Sequence, residues 1–168
     1  MTAPTAPNAL SRSLARFDRL PAGIARRART LVLGKIVRFV GTAKLDILEL
    51  TPERAVVAVK NRKRVRNHIG SVHAAAIALL AETATGFVVG MSVPDDRAPV
   101  IKSLKVEFKK RAKGDLRAEA TLTPEQVALI RGTEKGEVHV AVKVTDEAGI
   151  EPVICEMIWA WTPKRRPT

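Results

Sequence analysis

An α+β fold, in which an antiparallel sheet wraps one long helix, is what this 168-residue sequence predicts. Three observations carry the prediction. The stretch from Asn67 to Gly90, NHIGSVHAAAIALLAETATGFVVG, opens on polar residues and glycine and then runs almost wholly apolar, the mark of a helix buried on more than one side. The segments around it alternate apolar and polar residues, the period of a half-buried strand. Four of those segments follow the helix in succession with short turns between them, which favours antiparallel pairing.

Taken in order, residues 1–9, MTAPTAPNA, read as a disordered tail. Leu10, Leu14 and Phe17 recur at helical spacing, with Ser11 or Ser13 placed to cap. Pro21 and Gly23 interrupt the pattern, and Ile24 to Leu33 resumes it with Arg26, Arg27 and Arg29, so residues 10–34 are expected to form an N-terminal helical extension. A helix lying on a membrane surface is the alternative for this basic segment. Lys35 to Leu50, KIVRFVGTAKLDILEL, is rich in β-branched residues and predicts a first strand, bent or bulged at Gly41. Thr51-Pro52-Glu53 turns the chain into a second strand, Arg54 to Lys60. The basic loop NRKRVR, residues 61–66, leads into the central helix, where helix N-terminal N–H groups and arginines together suit a phosphate.

Beyond the helix, Pro94-Asp95-Asp96 turns the chain. Leu104, Val106 and Phe108 alternate with Ser103, Lys105 and Glu107, predicting a half-buried strand over residues 100–108. Lys109, Lys110, Arg111 and Lys113 form a second basic patch before the turn at Gly114-Asp115. Leu116 to Leu122 alternates as a further strand, and residues 124–132 read as a short helix starting at Pro124. Val138, Val140, Val142 and Val144 face one way on the next strand, Asp146 to Gly149 closes a hairpin, and Val153, Cys155, Met157, Trp159 and Trp161 line the last strand. Residues 163–168 are a basic tail.

Composition bounds the chemistry. Apolar residues at 46% exclude general disorder, and no apolar run reaches the length of a membrane-spanning helix. No signal-peptide core follows Met1, although the Ala- and Arg-rich start has the bias of an organellar transit peptide; a reducing cytoplasm is the expected compartment. The single cysteine, Cys155, excludes an intrachain disulfide, and His68, His73 and Glu82 have no zinc spacing, so no metal is expected. A net charge of +12 calls for an anionic partner: nucleic acid, a membrane surface or a phosphorylated ligand. With aromatics at 4% and no tyrosine, stacking on single-stranded nucleic acid loses ground.

The one carboxylate inside the apolar run is Glu82, and a buried carboxylate is costly unless it is paired, hydrogen-bonded or used. At 100° per residue, Ile77, Leu80, Ala81, Ala84, Val88 and Met91 share one broad side, and Glu82 lies roughly opposite among Ala75, Ala78, Leu79 and Gly86. That small-residue face suits a second subunit or a ligand. A purely structural role, with Glu82 bonded to an arginine or a backbone N–H, stays open. Ser71 is placed as N-cap, and free N–H groups in the first turn would suit a carbonyl oxygen gaining negative charge. Asn67, His68 and His73 add donors or a base.

Asn67, His73 and Glu82, spaced N-x5-H-x8-E at the start of a long helix after two strands, resemble the hotdog-fold thioesterase superfamily, whose nearest branch reads N-x5-H-G-G-x6-(D/E). The chain is similar, over about residues 35–162, to a domain of unknown function grouped with those enzymes, and Leu104 to Leu122 resembles the family's strand, basic turn and strand. The resemblance implies a hotdog fold and a homodimer or dimer of dimers with sites between subunits. It implies an acyl-CoA substrate, coenzyme A being part of that substrate and no separate cofactor being needed. Glu82 would act as general base or nucleophile. Asn67 would position water from across the interface, and His73 with Gly70 and the N–H groups of Ala74 or Ala75 would hold the thioester carbonyl. Arg62, Arg64, Lys110 and Arg111 would hold coenzyme A phosphates. The sequence departs from the family in placing Ala74 and Ala75 where two glycines stand, which narrows the approach to those N–H groups. A hotdog module that binds acyl-CoA, lipid or a protein without turnover is the alternative; specific nucleic-acid binding and a dehydratase rank lower.

Overall fold

Hydrophobic burial organises the molecule around α4, Ala74–Gly90, whose Ile77, Leu80, Ala81, Ala84 and Val88 are buried against the concave side of a six-stranded sheet. The computed structural model describes residues 7–164. Before α4 come α1 (Ala9–Ala15), α2 (Ala22–Ile36), α3 (Arg38–Ala43), β1 (Asp46–Leu50), β2 (Arg54–Val59) and a single 3-10 turn, Lys63–Val65. After it come β3 (Arg97–Phe108), β4 (Leu116–Thr121), α5 (Pro124–Gly132), β5 (Gly136–Asp146) and β6 (Val153–Pro163). The strands lie in the order β1-β2-β4-β5-β6-β3, all antiparallel, and α4 packs on β2 through β6. This is the hotdog fold: a helix wrapped by a curved sheet, with helices added at the N-terminus. Full burial of each Leu or Ile on α4 contributes about 1.5–3 kcal/mol, which is why the apolar face and not helix propensity decides the fold.

The small-residue face of α4 turns away from the sheet as its helical phase requires: Ala75 is exposed, and Ala78, Leu79, Glu82 and Gly86 are partly exposed. Gly86 is needed there. A Cβ at that position would stand 2.7 Å from the Trp159 ring, which lies across the helix with its indole N–H donating to the Thr85 hydroxyl (2.9 Å). Trp161 is satisfied by donating to the Thr133 carbonyl (3.0 Å).

Several expectations are corrected. Lys35 to Ala43 is not strand: α2 runs on to Ile36 and α3 follows, so β1 begins only at Asp46. Leu33, Val40 and Ala43 are the buried positions, spaced seven and three apart, a helical period that outweighs β propensity. Gly41 is no bulge but the point where α3 meets α2; a Cβ there would stand under 3.0 Å from the Gly34 carbonyl oxygen. The caps also shift. Asn8, not Ser11 or Ser13, caps α1, accepting from the Ser11 N–H (2.9 Å) while its amide donates to Gly90 O (2.7 Å) and Val93 O (2.6 Å). The expected tail over residues 1–9 thus includes a buried anchor at Asn8, and residues 1–6 lie outside the described residues. In the basic tail Lys164 N–H donates to Asp96 O (2.9 Å), while residues 165–168 lie outside the described residues.

β3 differs most. It does not pair with β4, its neighbour in sequence, but crosses to the far edge and pairs only with β6. Its expected apolar face is largely exposed, Leu104 and Phe108 included. The opposite edge, β1, is covered by α2: the Thr30 hydroxyl accepts from the Ile47 N–H (3.0 Å) and donates to the Asp46 carboxylate (3.0 Å).

Candidate active site

The loop before α4 is held by its own side chains. Arg66 and Val72 form an isolated antiparallel bridge, and inside it Asn67 Oδ1 accepts from the N–H groups of Ile69 (3.1 Å) and Ser71 (3.0 Å). Gly70, at φ +80°, supplies the left-handed residue that lets so tight a turn close. Its carbonyl accepts from the Asn61 amide (3.1 Å). Arg111 braces the loop from the second basic patch, donating to Ser71 Oγ (2.9 Å) and to Ile69 O. Asn67 therefore has its carbonyl oxygen committed and its amide NH2 as the group able to face a ligand. Arg111 is committed to the loop rather than to a phosphate.

Ser71 does not cap α4, because it still belongs to the turn closed by the Arg66–Val72 bridge. The helix starts once the His73 N–H has bonded Val65 O (2.7 Å), and His73 itself is the cap: its Nδ1 accepts from the Ala75 N–H (3.1 Å). A neutral ring accepting at Nδ1 carries its proton on Nε2, which makes His73 an outward donor. The same bond occupies one of the two expected carbonyl donors, Ala75 N–H. Ala74 N–H, the first of the helix, has no intrahelical acceptor. Both alanines are exposed, so their methyls border the helix end without sealing it.

Glu82 is half-buried two turns further along, on a cavity of about 260 Å³ lined with Leu10, Val37, Val40, Phe87, Pro99 and Trp159. Burial pushes its carboxyl above the usual carboxylate range, and no charged group acts on it. The expected arginine partner is therefore absent among the described residues. Thr83 also lines the cavity, and its hydroxyl is buried without a hydrogen-bond partner. The sequence reading missed it, although a hydroxyl beside the one carboxylate of an apolar helix is a signal.

His73 and Glu82, nine residues apart on one helix, are about 13 Å apart along its axis. Within one chain they serve separate cavities. His73 and Ala75 line a second cavity of about 260 Å³ with Arg64, Arg66, Phe39 and Leu79. Arg62 lines a third, of about 470 Å³, with Lys35, Lys44 and Lys60. Lys110 is exposed, its backbone N–H bonded to Pro152 O (3.0 Å). One chain thus brings Arg64 to His73 and Arg111 to the Gly70 turn, and leaves Glu82 apart from Asn67 and His73. No cluster of three or more His, Cys, Asp or Glu that could hold a metal occurs among the described residues.

The family described as a domain of unknown function, DUF4442, matches residues 25–161. The chain belongs to the DUF4442 family. No curated protein matches it. Among solved structures, this DUF4442 protein is similar to a Pseudomonas aeruginosa protein described as of unknown function and a probable thioesterase, with 27% identity, a TM-score of 0.73, and coverage of 86% of this chain and 97% of that one. It shares its fold with a Haemophilus influenzae thioesterase at 12% identity and TM-score 0.63, covering 78% of this chain and 88% of the other. The same holds for a thioesterase family protein from Silicibacter pomeroyi at 15% identity and TM-score 0.61, covering 79% and 96%. The DUF4442 domain thus has the hotdog fold shared with these proteins, and no helix among its described residues is long and apolar enough to cross a membrane.

Proposed function

We propose that this DUF4442 protein hydrolyses an acyl-CoA thioester, fatty or aryl, at the interface of a homodimer or of a dimer of dimers. The observation that carries the reading is Glu82, a carboxylate with no charged partner, desolvated on an apolar cavity beside a buried, unpartnered hydroxyl. A raised proton affinity suits a general base working near neutral pH. Glu82 takes a proton from water, the water oxygen attacks the thioester carbon, the C–S bond breaks, and the proton passes to the departing thiolate, leaving acid and thiol. The alternative is direct attack by the carboxylate on the thioester carbon, giving an anhydride. The C–S bond breaks, the expelled thiolate leaves as thiol after protonation, and water then opens the anhydride to acid and free carboxylate. Because His73 and Asn67 lie away from Glu82 in their own chain, they act in this reading on the site of a second copy. There Asn67 Nδ2 positions the water or the carboxylate, and His73 Nε2–H and Ala74 N–H, presented by the Gly70 turn, hold the carbonyl oxygen. Arg64 and Lys110 are exposed enough to take phosphates of coenzyme A, with Arg62 on its own cavity; no separate cofactor enters.

Thiol release from a panel of acyl-CoA esters tests this. Glu82→Gln is expected to lower kcat by about 10²-fold or more, as loss of a base does. Turnover at the wild-type rate in that variant, or no hydrolysis at any chain length, removes the reading. A second reading, a non-catalytic module that binds acyl-CoA, lipid or a protein, is favoured by the bond that occupies Ala75 N–H. It predicts thermal stabilisation by acyl-CoA without thiol release.

A further inference from the structure

The first 44 residues hold nine Lys or Arg and a single acid, Asp18, so +8 of the chain's +12 lies in about its first quarter. The same segment carries much of the exposed aliphatic surface. On α2, Ile24 is 55% and Leu31 66% exposed. Seven residues apart, they stand about two turns from each other on one face, with Arg27 between them and Lys35 one turn beyond Leu31. At the corner into α3, Ile36 is 65% and Phe39 59% exposed. Arg27, Lys35 and Arg38 make no ion pair among the described residues; Arg26 alone of α2 approaches a carboxylate, Asp46, at 3.7 Å.

This face is held rigidly from behind. Ala25 and Leu33 are buried, and Thr30 is bonded to both the backbone and the side chain of β1. The helix does not have to fold on contact, so ordering entropy does not oppose docking. Branched aliphatic side chains projecting between unpaired cations are what an interfacial helix presents to a bilayer: the side chains enter the acyl boundary while the cations stay at the headgroups. Each cation near an anionic surface adds to the attraction. Nucleic acid gains nothing from Ile24 and Leu31. An acidic protein would satisfy the charge but leave the protruding aliphatics to find matched pockets.

We propose that the outer face of α2 and its corner with α3 dock this protein on an anionic lipid bilayer. The proposal does not rest on Glu82 chemistry, because none of Ile24, Arg27, Leu31 or Lys35 lies on the Glu82 cavity, although Leu31 and Lys35 border the Arg62 cavity and Phe39 the His73 cavity.

Co-sedimentation of the full chain with vesicles of phosphatidylglycerol and phosphatidylcholine, against phosphatidylcholine alone, tests it. The expected result is binding to the anionic vesicles only, weakened by salt. Ile24→Ser with Leu31→Ser, which keeps every charge, is expected to weaken it by about tenfold, as is Arg27→Glu with Lys35→Glu. All four positions are exposed, and unchanged circular dichroism and melting temperature verify that each variant is folded; Leu129→Ser on α5, also exposed, is the control expected to bind as wild type. No binding to anionic vesicles at low salt overturns the proposal. So does full-strength binding in the Ile24 and Leu31 variant, since net charge alone would then account for the attraction. Loss of self-association in that variant, with vesicle binding unchanged, likewise assigns the face to a second copy and overturns it.

Discussion

The two edges of the sheet are finished in opposite ways. β1 is five residues long, its pairing register shifts between Ile47 and Glu49, and α2 lies over it, with the Thr30 hydroxyl taking up the Ile47 N–H that an edge would leave open. β3 also shifts register, between Ile101 and Ser103, but it is twelve residues long, pairs only with β6, and exposes Val100, Ile101, Leu104 and Phe108. A long apolar edge is a template for pairing with another chain, and proteins normally blunt it. Here α2 covers the short edge, α1 packs instead on the end of α4 at Gly90 and Val93, and the long edge is left open. The difference teaches that the β1 end is completed within the chain, while the β3 end keeps the open edge that the proposed dimer would need. Pro99 of β3 and Trp159 of β6 also line the Glu82 cavity, so the open edge and the lone carboxylate belong to the same end of the molecule.

That contrast can be broken by substitution, most severely at the closed edge. Leu33→Ala empties a site only 1% exposed beneath α2, and is expected to cost about 3 kcal/mol in urea unfolding and to bring aggregation as β1 is uncovered. Thr30→Val removes the acceptor of the Ile47 N–H and is expected to cost about 1 kcal/mol, with faster hydrogen exchange confined to β1. Glu82→Gln tests the open end by pH. Burial raises the Glu82 proton affinity, so the carboxyl's favourable share of stability is present at low pH and is lost as pH rises through its folded-state pKa. Gln, which never ionises, is expected to raise Tm by roughly two degrees near pH 8 and by nothing near pH 4, read by calorimetry. The smallest folding effect belongs to Leu104→Lys with Phe108→Lys, expected within about 0.5 kcal/mol of wild type. The same pair is expected to weaken a dimer by about tenfold in sedimentation velocity, and an unchanged dimer would show that β3 is not its interface.

On α4 and β4, where one side is buried and the other wet, the sequence reading agrees with the structure. On α4, Ile77, Leu80, Ala84 and Val88 are buried, while Ala78, Glu82 and Gly86 are partly open, as the phase of the helix requires. Leu116, Ala118 and Ala120 on β4 behave likewise with period two. The reading failed where a local preference was overruled from a distance. Ile36, Val37, Phe39 and Val40 look like strand, but their segment is helical because Gly34 and Gly41 let α2 and α3 touch backbone to backbone and bury Leu33 and Val40. β3 alternates like its neighbours, but which strand it pairs with is a matter of topology that alternation does not encode. At the site, the order Asn67, His73, Glu82 was visible as a resemblance to a family. The commitment of Asn67 Oδ1, Arg111 and Ala75 N–H to the loop and the helix cap was not, since each depends on a fold already in place.

α3 has a consequence for how such a protein can change over generations. Val40 faces the Glu82 cavity, Phe39 and Thr42 the His73 cavity, and Gly41 and Lys44 the cavity of Arg62. One six-residue helix is a wall of all three. A substitution that widens one cavity by moving α3 is read by the other two, so their shapes are not independent variables. Drift in this segment is therefore confined to exchanges that leave the helix where it is. New ligand preferences are most readily gained from the far walls, at Leu10, Leu79 or Lys60, where only one cavity feels the change.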